Sequence, residues 1–220
     1  MSNAKSYHGK EPAIVDFLGI TRDYIRIRVP VYQRDFVWEP EHAEQLTADL
    51  DTVLSPSETG VSNRFLGTIV LEEAGNELNV IDGQQRITCL FLLCIAILKR
   101  MKEFDPKWVK NELSKGHYTR DHSMHKTQKP GQIKLVPRKA DRAAINSILQ
   151  ELEYNHEDQD YDVSIFIDDV SKAENLSDLD SHPIVEISNT FDQYLRQKLG
   201  ETDIEKITDQ TSSGSINEPD

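Results

Sequence analysis

The chain is poor in cysteine and lacks any hydrophobic segment long enough to span a bilayer. Its 220 residues include two cysteines, Cys89 and Cys94, too few for a disulfide framework or a four-ligand zinc site. Both lie in the longest apolar run, Ile87 to Leu98, whose 12 residues fall short of the roughly 20 that a transmembrane helix needs. No apolar signal segment stands at the N-terminus. We therefore expect buried, reduced thiols, a cytoplasmic location and no membrane partner.

Excess positive charge is also lacking, but the acidity is confined to the last third of the chain. The formal net charge is −13. Residues 1–140 hold 20 Lys+Arg and 18 Asp+Glu, whereas residues 141–220 hold 5 and 20. The negative net charge of the whole chain therefore does not exclude a phosphate-binding or nucleic-acid-binding site in the first two thirds of the sequence. The length predicts one domain, or one domain with an appendage.

Hydrophobic patterning predicts an α+β fold, in which a small mixed sheet packs on a long central helix and further helices follow. Four strands are expected, over residues 24–29, 65–71, 78–81 and 133–136. Five helices are expected, over residues 11–20, 40–54, 84–104, 138–153 and 183–199. The helix over 84–104 is apolar nearly all round and should form the core. The strand over 65–71 should be buried on both faces.

Composition divides the chain into five parts. They are a disordered N-terminus (1–10), a main domain (11–154), an acidic insertion (155–181), a helix that completes or extends the domain (182–199) and a disordered tail (200–220).

The strongest candidate for a binding site is the predicted strand-to-helix junction Val-Ile-Asp-Gly-Gln-Gln-Arg at residues 80–86. A helix start presents backbone N–H groups without partners and the positive end of the helix dipole, which together favour an anion. The junction adds the carboxylate of Asp82 and the small residue Gly83, which permits close approach of the backbone. It also adds the amide donors of Gln84 and Gln85 and the guanidinium fork of Arg86.

The acid at this junction has several candidate tasks. Asp82 would be suited to orient Arg86, to hold a divalent metal or to position a water molecule. The alternative is an ordinary helix start with Asp82 as the N-cap residue. The spacing of the glycines fits neither a Walker loop nor a dinucleotide-binding fingerprint.

Two further segments could contact a nucleotide or nucleic acid. Aromatic residues alternate with Gln and Arg over Tyr32 to Trp38, a composition that suits base stacking and phosphate contacts. Phe36 and Trp38 are expected to anchor the following helix, which leaves Tyr32, Gln33 and Arg34 as the candidate ligand contacts. The stretch from Lys99 to Lys139 carries 12 Lys+Arg against 4 Asp+Glu. It is either a solvated face or a DNA-binding surface.

Three segments together resemble a known family. In order, they are Val-Pro-Val-Tyr-Gln-Arg-Asp-Phe-Val-Trp (29–38), Phe-Leu-Gly-Thr-Ile-Val-Leu (65–71) and Val-Ile-Asp-Gly-Gln-Gln-Arg-Ile-Thr-Cys-Leu (80–90). Their order and spacing resemble those of the N-terminal domain of GmrSD-type proteins, which are modification-dependent (type IV) restriction enzymes. That domain is related to the ParB/sulfiredoxin fold. Residues 133–149 also look like the strand and helix that follow in the family. Cys89 stands where a second Thr is usual.

The resemblance implies a domain that binds and hydrolyses nucleoside triphosphates, with Mg²⁺ as a candidate cofactor at Asp82. It implies that residues 82–86 form the nucleotide site beside Tyr32, Gln33 and Arg34, with Asp82 and Arg86 as the catalytic candidates. DNA is an implied partner. Because the sequence shows no HNH-type nuclease segment, we expect DNA cleavage to need a separate nuclease domain or subunit.

Two functions therefore remain open. The first is a nucleoside-triphosphate-binding and hydrolysing domain of a DNA-defence protein, which the intact Asp-Gly-Gln-Gln-Arg segment favours. The second is a non-catalytic module that binds DNA or a protein partner and keeps the fold without turnover, which the acidic last third favours. Direct nuclease action is disfavoured, because no carboxylate cluster suited to metals is evident in the sequence.

Overall fold

The computed structural model describes residues 26–54, 66–75, 77–107, 109, 135–150, 179 and 181–200. The expected helix over 11–20, nearly all of the acidic insertion and the expected C-terminal tail lie outside these ranges. So does most of the basic stretch.

Four short strands form one mixed sheet. They are β1 (Arg26–Arg28), β2 (Val70–Ala74), β3 (Glu77–Asp82) and β4 (Leu135–Val136), and their order across the sheet is β2-β3-β1-β4. β1 runs parallel to both β3 and β4, whereas β2 and β3 form an antiparallel hairpin. Gly75, with a φ of 67°, lies in the hairpin turn between β2 and β3. The α+β prediction is confirmed, and the ParB-like relationship stays a prediction.

The structure corrects the expectation that residues 65–71 form a strand buried on both faces. β2 begins only at Val70, lies at the edge of the sheet and is largely exposed. Gly67 adopts a left-handed conformation with a φ of 94°, so the preceding segment cannot continue the regular ladder. An apolar run is the same in sequence whether its strand is central or at an edge, since the neighbours are decided by tertiary pairing.

Four α-helices are described: α1 (Pro40–Leu54), α2 (Gln84–Lys102), α3 (Arg142–Gln150) and α4 (Pro183–Lys198). A 3₁₀ turn, Lys139–Asp141, leads into α3. α2 is the central helix, as predicted, because it contributes buried residues to both apolar clusters of the described chain. One cluster lies under the sheet and includes Val80 and Ile87, and the other joins α2 to α1, α3 and α4. Within the described residues, no helix has the length and apolarity to cross a membrane.

The topology brings three loops to one rim of the sheet. β1, β3 and β4 are mutually parallel, so their carboxyl ends lie at the same edge, as is general for parallel strands. Residues 30–38 follow β1, residues 83–86 follow β3 and residues 137–141 follow β4. Chain segments more than 100 residues apart in sequence therefore meet at the N-terminus of α2.

Candidate functional site

The junction between β3 and α2 requires glycine at residue 83. Gly83 has φ 84° and ψ 20°, a left-handed conformation, and a Cβ atom here would lie 2.9 Å from the carbonyl oxygen of Thr68. The segment of residues 67–69 thus passes directly against this turn. The N–H of Gly83 donates to Oδ1 of Asp82 at 2.8 Å, so Asp82 supports the turn. The N-cap residue is Gly83, so the alternative in which Asp82 is the N-cap residue is wrong.

The N-terminus of α2 lacks the usual side-chain compensation for its dipole. Gly83 offers no side-chain cap, and no acidic residue stands in the first turn of this 19-residue helix. The last turn, by contrast, carries Lys99, Arg100 and Lys102, which complement its negative end. The positive end is therefore left with Asp82 as its nearest carboxylate in sequence.

Gln84 and Gln85 connect this helix start to the loop after β1. Nε2 of Gln84 donates to the carbonyl oxygen of Arg34 at 2.8 Å. Oε1 of Gln85 accepts from the N–H groups of Val37 (2.9 Å) and Trp38 (3.2 Å), and its Nε2 donates to the carbonyl oxygen of Asp35 at 3.0 Å. Both side chains are buried. Their amides are therefore committed to holding the loop, a task that the sequence did not reveal.

The side-chain amide of Gln33, in the loop after β1, connects this loop to the end of β3. Nε2 of Gln33 donates to the carbonyl oxygens of Ile81 (2.8 Å) and Val80 (3.3 Å). The expected proximity of the two motifs is therefore confirmed for Gln33 and for the backbone of Arg34, although about 50 residues separate them in sequence.

Arg86 lies over the segment that precedes β2. Its Nη1 donates to the carbonyl oxygen of Thr68 at 2.7 Å, and its guanidinium group fills the space that a Cβ on Gly67 would occupy. Within the described residues, Nε and Nη2 of Arg86 make no hydrogen bond. Arg86 thus has a structural role and keeps donors for a ligand.

The outer part of the rim combines exposed apolar and basic groups. Arg34 is exposed, and its guanidinium has no partner among the described residues. Tyr32 is 68% exposed. The large exposed hydrophobic side chains of the described chain all belong to segments that meet here: Val31, Tyr32, Val37, Val70 and Ile81.

The third loop of the rim, residues 137–141, could not be predicted from the sequence. Arg138, after β4, forms an ion pair with Asp35. Asp141 is buried, and its Oδ1 lies 3.7 Å from Nε2 of His182, the N-cap residue of α4. No local signal marks these residues, because Asp141 and His182 are ordinary residues for the start of a helix. Their proximity to the site depends on the parallel pairing of β4 with β1.

The basic stretch from Lys99 to Lys139 is described only at its two ends. Two of its cations are committed to internal contacts. Arg100 is buried, donates to the carbonyl oxygen of Leu199 at 2.8 Å and pairs with Glu103, while Arg138 pairs with Asp35. DNA binding by this stretch stays a prediction.

Metal binding at the rim would involve few protein ligands. Among the described residues, no cluster of three or more His, Cys, Asp or Glu side chains is suited to hold a metal ion. Asp82 is exposed and is a candidate ligand by itself. Mg²⁺ fits such a site, because it is commonly bound by one or two carboxylates together with substrate phosphates and water.

The chain matches a protein-family model. The family model described as "GmrSD restriction endonuclease, N-terminal domain" matches residues 17–215, which include every element of the sheet, the four helices and all three loops of the rim. No curated protein matches the chain.

Proposed function

The chain belongs to the GmrSD restriction endonuclease N-terminal domain family, and we propose that its part in DNA defence is to bind and hydrolyse a nucleoside triphosphate. The bound phosphates would lie at the N-terminus of α2, between Arg34 and Arg86. Family membership supports the restriction role, and the nucleotide chemistry is our proposal.

The observation that carries this proposal is the uncompensated N-terminus of α2. The helix start has neither a side-chain cap nor an acid in its first turn, and an anion would satisfy N–H groups that have no partner within the helix. The arginines beside it, Arg34 and Arg86, have guanidinium donors without hydrogen-bond partners in the described chain. Charge-assisted bonds of this kind contribute roughly 1.5–3 kcal/mol each.

Asp82 gives the site a means of hydrolysis. An exposed carboxylate beside a triphosphate is repulsive unless a cation lies between them, so Mg²⁺ held by Asp82 and the phosphates would reconcile the two charges. In hydrolysis, the oxygen of a water molecule bonds to the terminal phosphorus and the bond to the bridging oxygen breaks. The products are a nucleoside diphosphate and inorganic phosphate. Asp82 would orient that water, and the two arginines would balance the charge on the transferred phosphoryl group.

A second candidate function is DNA binding without hydrolysis. It is favoured by the position of Tyr32, which is 68% exposed, two residues before the exposed Arg34. An exposed aromatic ring beside a free guanidinium suits a stacked base and its phosphate. The two functions differ in whether phosphate is released and in whether Mg²⁺ is needed.

The deciding experiment titrates ATP, GTP, CTP and UTP into the protein by calorimetry, with Mg²⁺ and with EDTA, and measures phosphate release in parallel. Arg34→Ala should weaken binding about 10–100-fold, and Arg34→Lys should recover part of it, since a point charge cannot form a bidentate pair. Asp82→Ala should reduce phosphate release more than binding. Arg196→Ala is the matched control, because Arg196 pairs with Glu103 at the opposite end of α2.

Each outcome has a definite meaning. The second function would be favoured if the wild type bound no nucleotide but did bind a single-stranded oligonucleotide. In that case Tyr32→Ala should weaken the binding of the oligonucleotide. Equal nucleotide affinity in wild type and Arg34→Ala would show that Arg34 does not contribute to nucleotide binding.

A further inference from the structure

Asp35 is an exposed carboxylate within the loop that carries Arg34. Its side chain is 61% exposed, and its Oδ1 accepts a hydrogen bond from Nη1 of Arg138, with which it forms an ion pair. The guanidinium group of Arg34, the adjacent residue, has no partner among the described residues. Asp35 therefore leaves its neighbour available and pairs with an arginine 103 residues away in sequence. A negative charge beside a site for phosphates calls for an explanation, because like charges repel.

The backbone that carries Asp35 is already fixed from the side of α2. Nε2 of Gln85 donates to the carbonyl oxygen of Asp35 at 3.0 Å, and Nε2 of Gln84 donates to that of Arg34 at 2.8 Å. The next residue, Phe36, is buried in the apolar cluster that joins α2 to the other helices. The loop has these contacts without the ion pair, so the carboxylate of Asp35 stands on a firmly held part of the chain.

Arg138 lies on the neighbouring loop of the rim, directly after β4. β4 pairs with β1, and paired strands lie about 4.8 Å apart, so the loops that carry Arg34 and Arg138 are adjacent. The carbonyl oxygen of Arg138 accepts from the N–H of Asp141 at 3.0 Å, which places Arg138 at the start of the 3₁₀ turn. Its side chain is only 25% exposed, so the surrounding chain restricts its rotamers.

The ion pair leaves part of the guanidinium group of Arg138 available. Nε and Nη2 make no hydrogen bond within the part of the chain that the structure describes. Because the group is planar and rigid, a carboxylate bound at Nη1 restricts the directions in which the other donors point. An arginine that is oriented in advance loses less side-chain entropy when it binds a phosphate. The pair thus has the form of a ligand-binding group and the residue that supports it.

Stability does not account for this ion pair. Asp35 is largely exposed to water, and ion pairs of this kind contribute little to folding. Arg100 shows the contrasting arrangement of a structural arginine. It is buried, pairs with Glu103 and donates to the carbonyl oxygen of Leu199 at 2.8 Å.

We propose that Arg138 is a third anion-binding arginine of the candidate site, beside Arg34, and that Asp35 is its positioning residue. The ligand class is a polyphosphate, whose successive phosphates offer oxygens to both arginines. The inference rests on the proposed function for the nucleoside part of the ligand, but not for the phosphate chain. Its consequence is opposite in sign to simple electrostatics. Removal of the negative charge of Asp35 should weaken the binding of an anion, because Arg138 loses its orientation.

The first test titrates inorganic tripolyphosphate and each of ATP, GTP, CTP and UTP, with Mg²⁺, into wild type and variants. Arg138→Ala should raise the dissociation constant about 10-fold, as expected for one charge-assisted contact. Arg138→Lys should recover only part of the affinity, because lysine lacks the fork. Asp35→Asn should raise the dissociation constant about threefold. Arg196→Ala and Asp192→Asn are the matched controls. They change the charge equally in an ion pair on α4 and should bind as wild type does.

The sign of the Asp35 effect decides its role. Tripolyphosphate binding to Asp35→Asn that equals or exceeds that of wild type would show that Asp35 only repels the ligand, and would overturn its positioning role. In the Arg138→Ala background, Asp35→Asn should tighten binding, since only the repulsion remains. Weakening in both backgrounds would mean that Asp35 acts without Arg138, which also contradicts the proposal. Melting curves of the variants should stay close to that of wild type, because the pair is exposed.

The second test needs no ligand. NMR relaxation of the Nε–H group of each arginine measures how firmly its side chain is held. The order parameter of Arg138 should fall in Asp35→Asn, whereas that of Arg34, whose guanidinium is unpaired in the described chain, should be low in both proteins. An Arg138 side chain that is equally mobile in both proteins would overturn the positioning role of Asp35, whatever the protein binds.

The two tests separate this inference from the proposed function. If the wild type binds tripolyphosphate with these variant effects but binds no nucleotide, the polyphosphate site stands and only the nucleotide proposal fails. If nucleotides bind and lose affinity in Arg34→Ala but not in Arg138→Ala, the proposed function stands and this inference fails. Binding of neither anion would overturn both.

Discussion

Arg86 covers the backbone of Gly67 and donates from Nη1 to the carbonyl oxygen of Thr68 at 2.7 Å. Arg86, one of the two arginines of the candidate site, therefore also supports the segment that leads into the edge strand β2. Removal of Arg86 should consequently affect both the ligand and the fold, whereas removal of Arg34 should affect the ligand alone. This difference separates binding from stability at the site.

Replacement of Gly67 tests the packing of Arg86 on the backbone. A Cβ at Gly67 would overlap the guanidinium group, whereas a Cβ at Gly75 would meet no atom within 4 Å. Both glycines have a positive φ, 94° and 67°, so both alanine variants carry backbone strain. We expect Gly67→Ala to lower the free energy of unfolding by about 1 kcal/mol more than Gly75→Ala does, because it also breaks the bond to Thr68.

The same comparison in an Arg86→Ala background supplies the control. Without the guanidinium group, the excess cost of Gly67→Ala should disappear and only the backbone strain should remain. An excess that persists in both backgrounds would show that Gly67 and Arg86 are not coupled. Urea denaturation of the four proteins gives the required free energies.

Arg86→Ala should produce a combined loss. We expect nucleotide affinity to fall about 10–100-fold and the free energy of unfolding to fall by about 1–2 kcal/mol, since the carbonyl of Thr68 loses a charged donor. Arg86→Lys should restore part of the stability and less of the affinity. Calorimetric titration and melting curves measure the two effects. A variant that loses stability but keeps its affinity would assign Arg86 to structure alone.

Gln85→Ala should destabilise the protein more than a surface glutamine variant does. Gln85 is buried and makes three hydrogen bonds to the backbone of residues 35–38. Its removal leaves peptide groups without partners, and we expect the free energy of unfolding to fall by about 2–3 kcal/mol. Gln45→Ala is the matched control, because exposed Gln45 donates only to Asp49 on the surface of α1. It should stay within about 0.5 kcal/mol of wild type.

The contrary result for Gln85 would be equally informative. A change as small as that of Gln45→Ala would mean that the loop does not depend on the amide, and that Gln85 is available to a ligand as the sequence suggested.

The thiols should be unreactive in the native protein. Burial raises the pKa of Cys89 to about 12 and that of Cys94 to about 11, and only the thiolate is a nucleophile. At pH 8 we expect a disulfide reagent such as Ellman's to modify the native protein slowly. Cys94 should react first, since it is the more accessible of the two and has the lower pKa. Both should react at once in urea, and rapid modification of the native form would contradict the burial of α2.

Much of the fold could be predicted because its signals are local. α1 occupies residues 40–54 as expected, since Pro40 starts the helix and apolar residues recur at helical spacing. The start of α2 at Gln84 followed from a strand that ends in Asp82-Gly83 before a long apolar run. Family membership was likewise predictable from three motifs and was confirmed over residues 17–215. The position of β2 at the edge of the sheet could not be predicted, because no local pattern indicates which strands lie beside it.

The sequence by itself determined the family, most of the described elements and two of the three segments that gather at the start of α2. The tertiary structure decided what those residues do. In the folded chain, the side-chain amides of Gln84 and Gln85 donate hydrogen bonds to the loop after β1. The guanidinium group of Arg86 packs on Gly67, and Asp141 lies at the same rim. The physical reason is that propensity and periodicity act over a few residues, whereas the parallel pairing of β1 with β3 and β4 joins segments about 50 and 100 residues apart. A side chain's partners depend on that pairing, so they become known only when the strands are placed side by side.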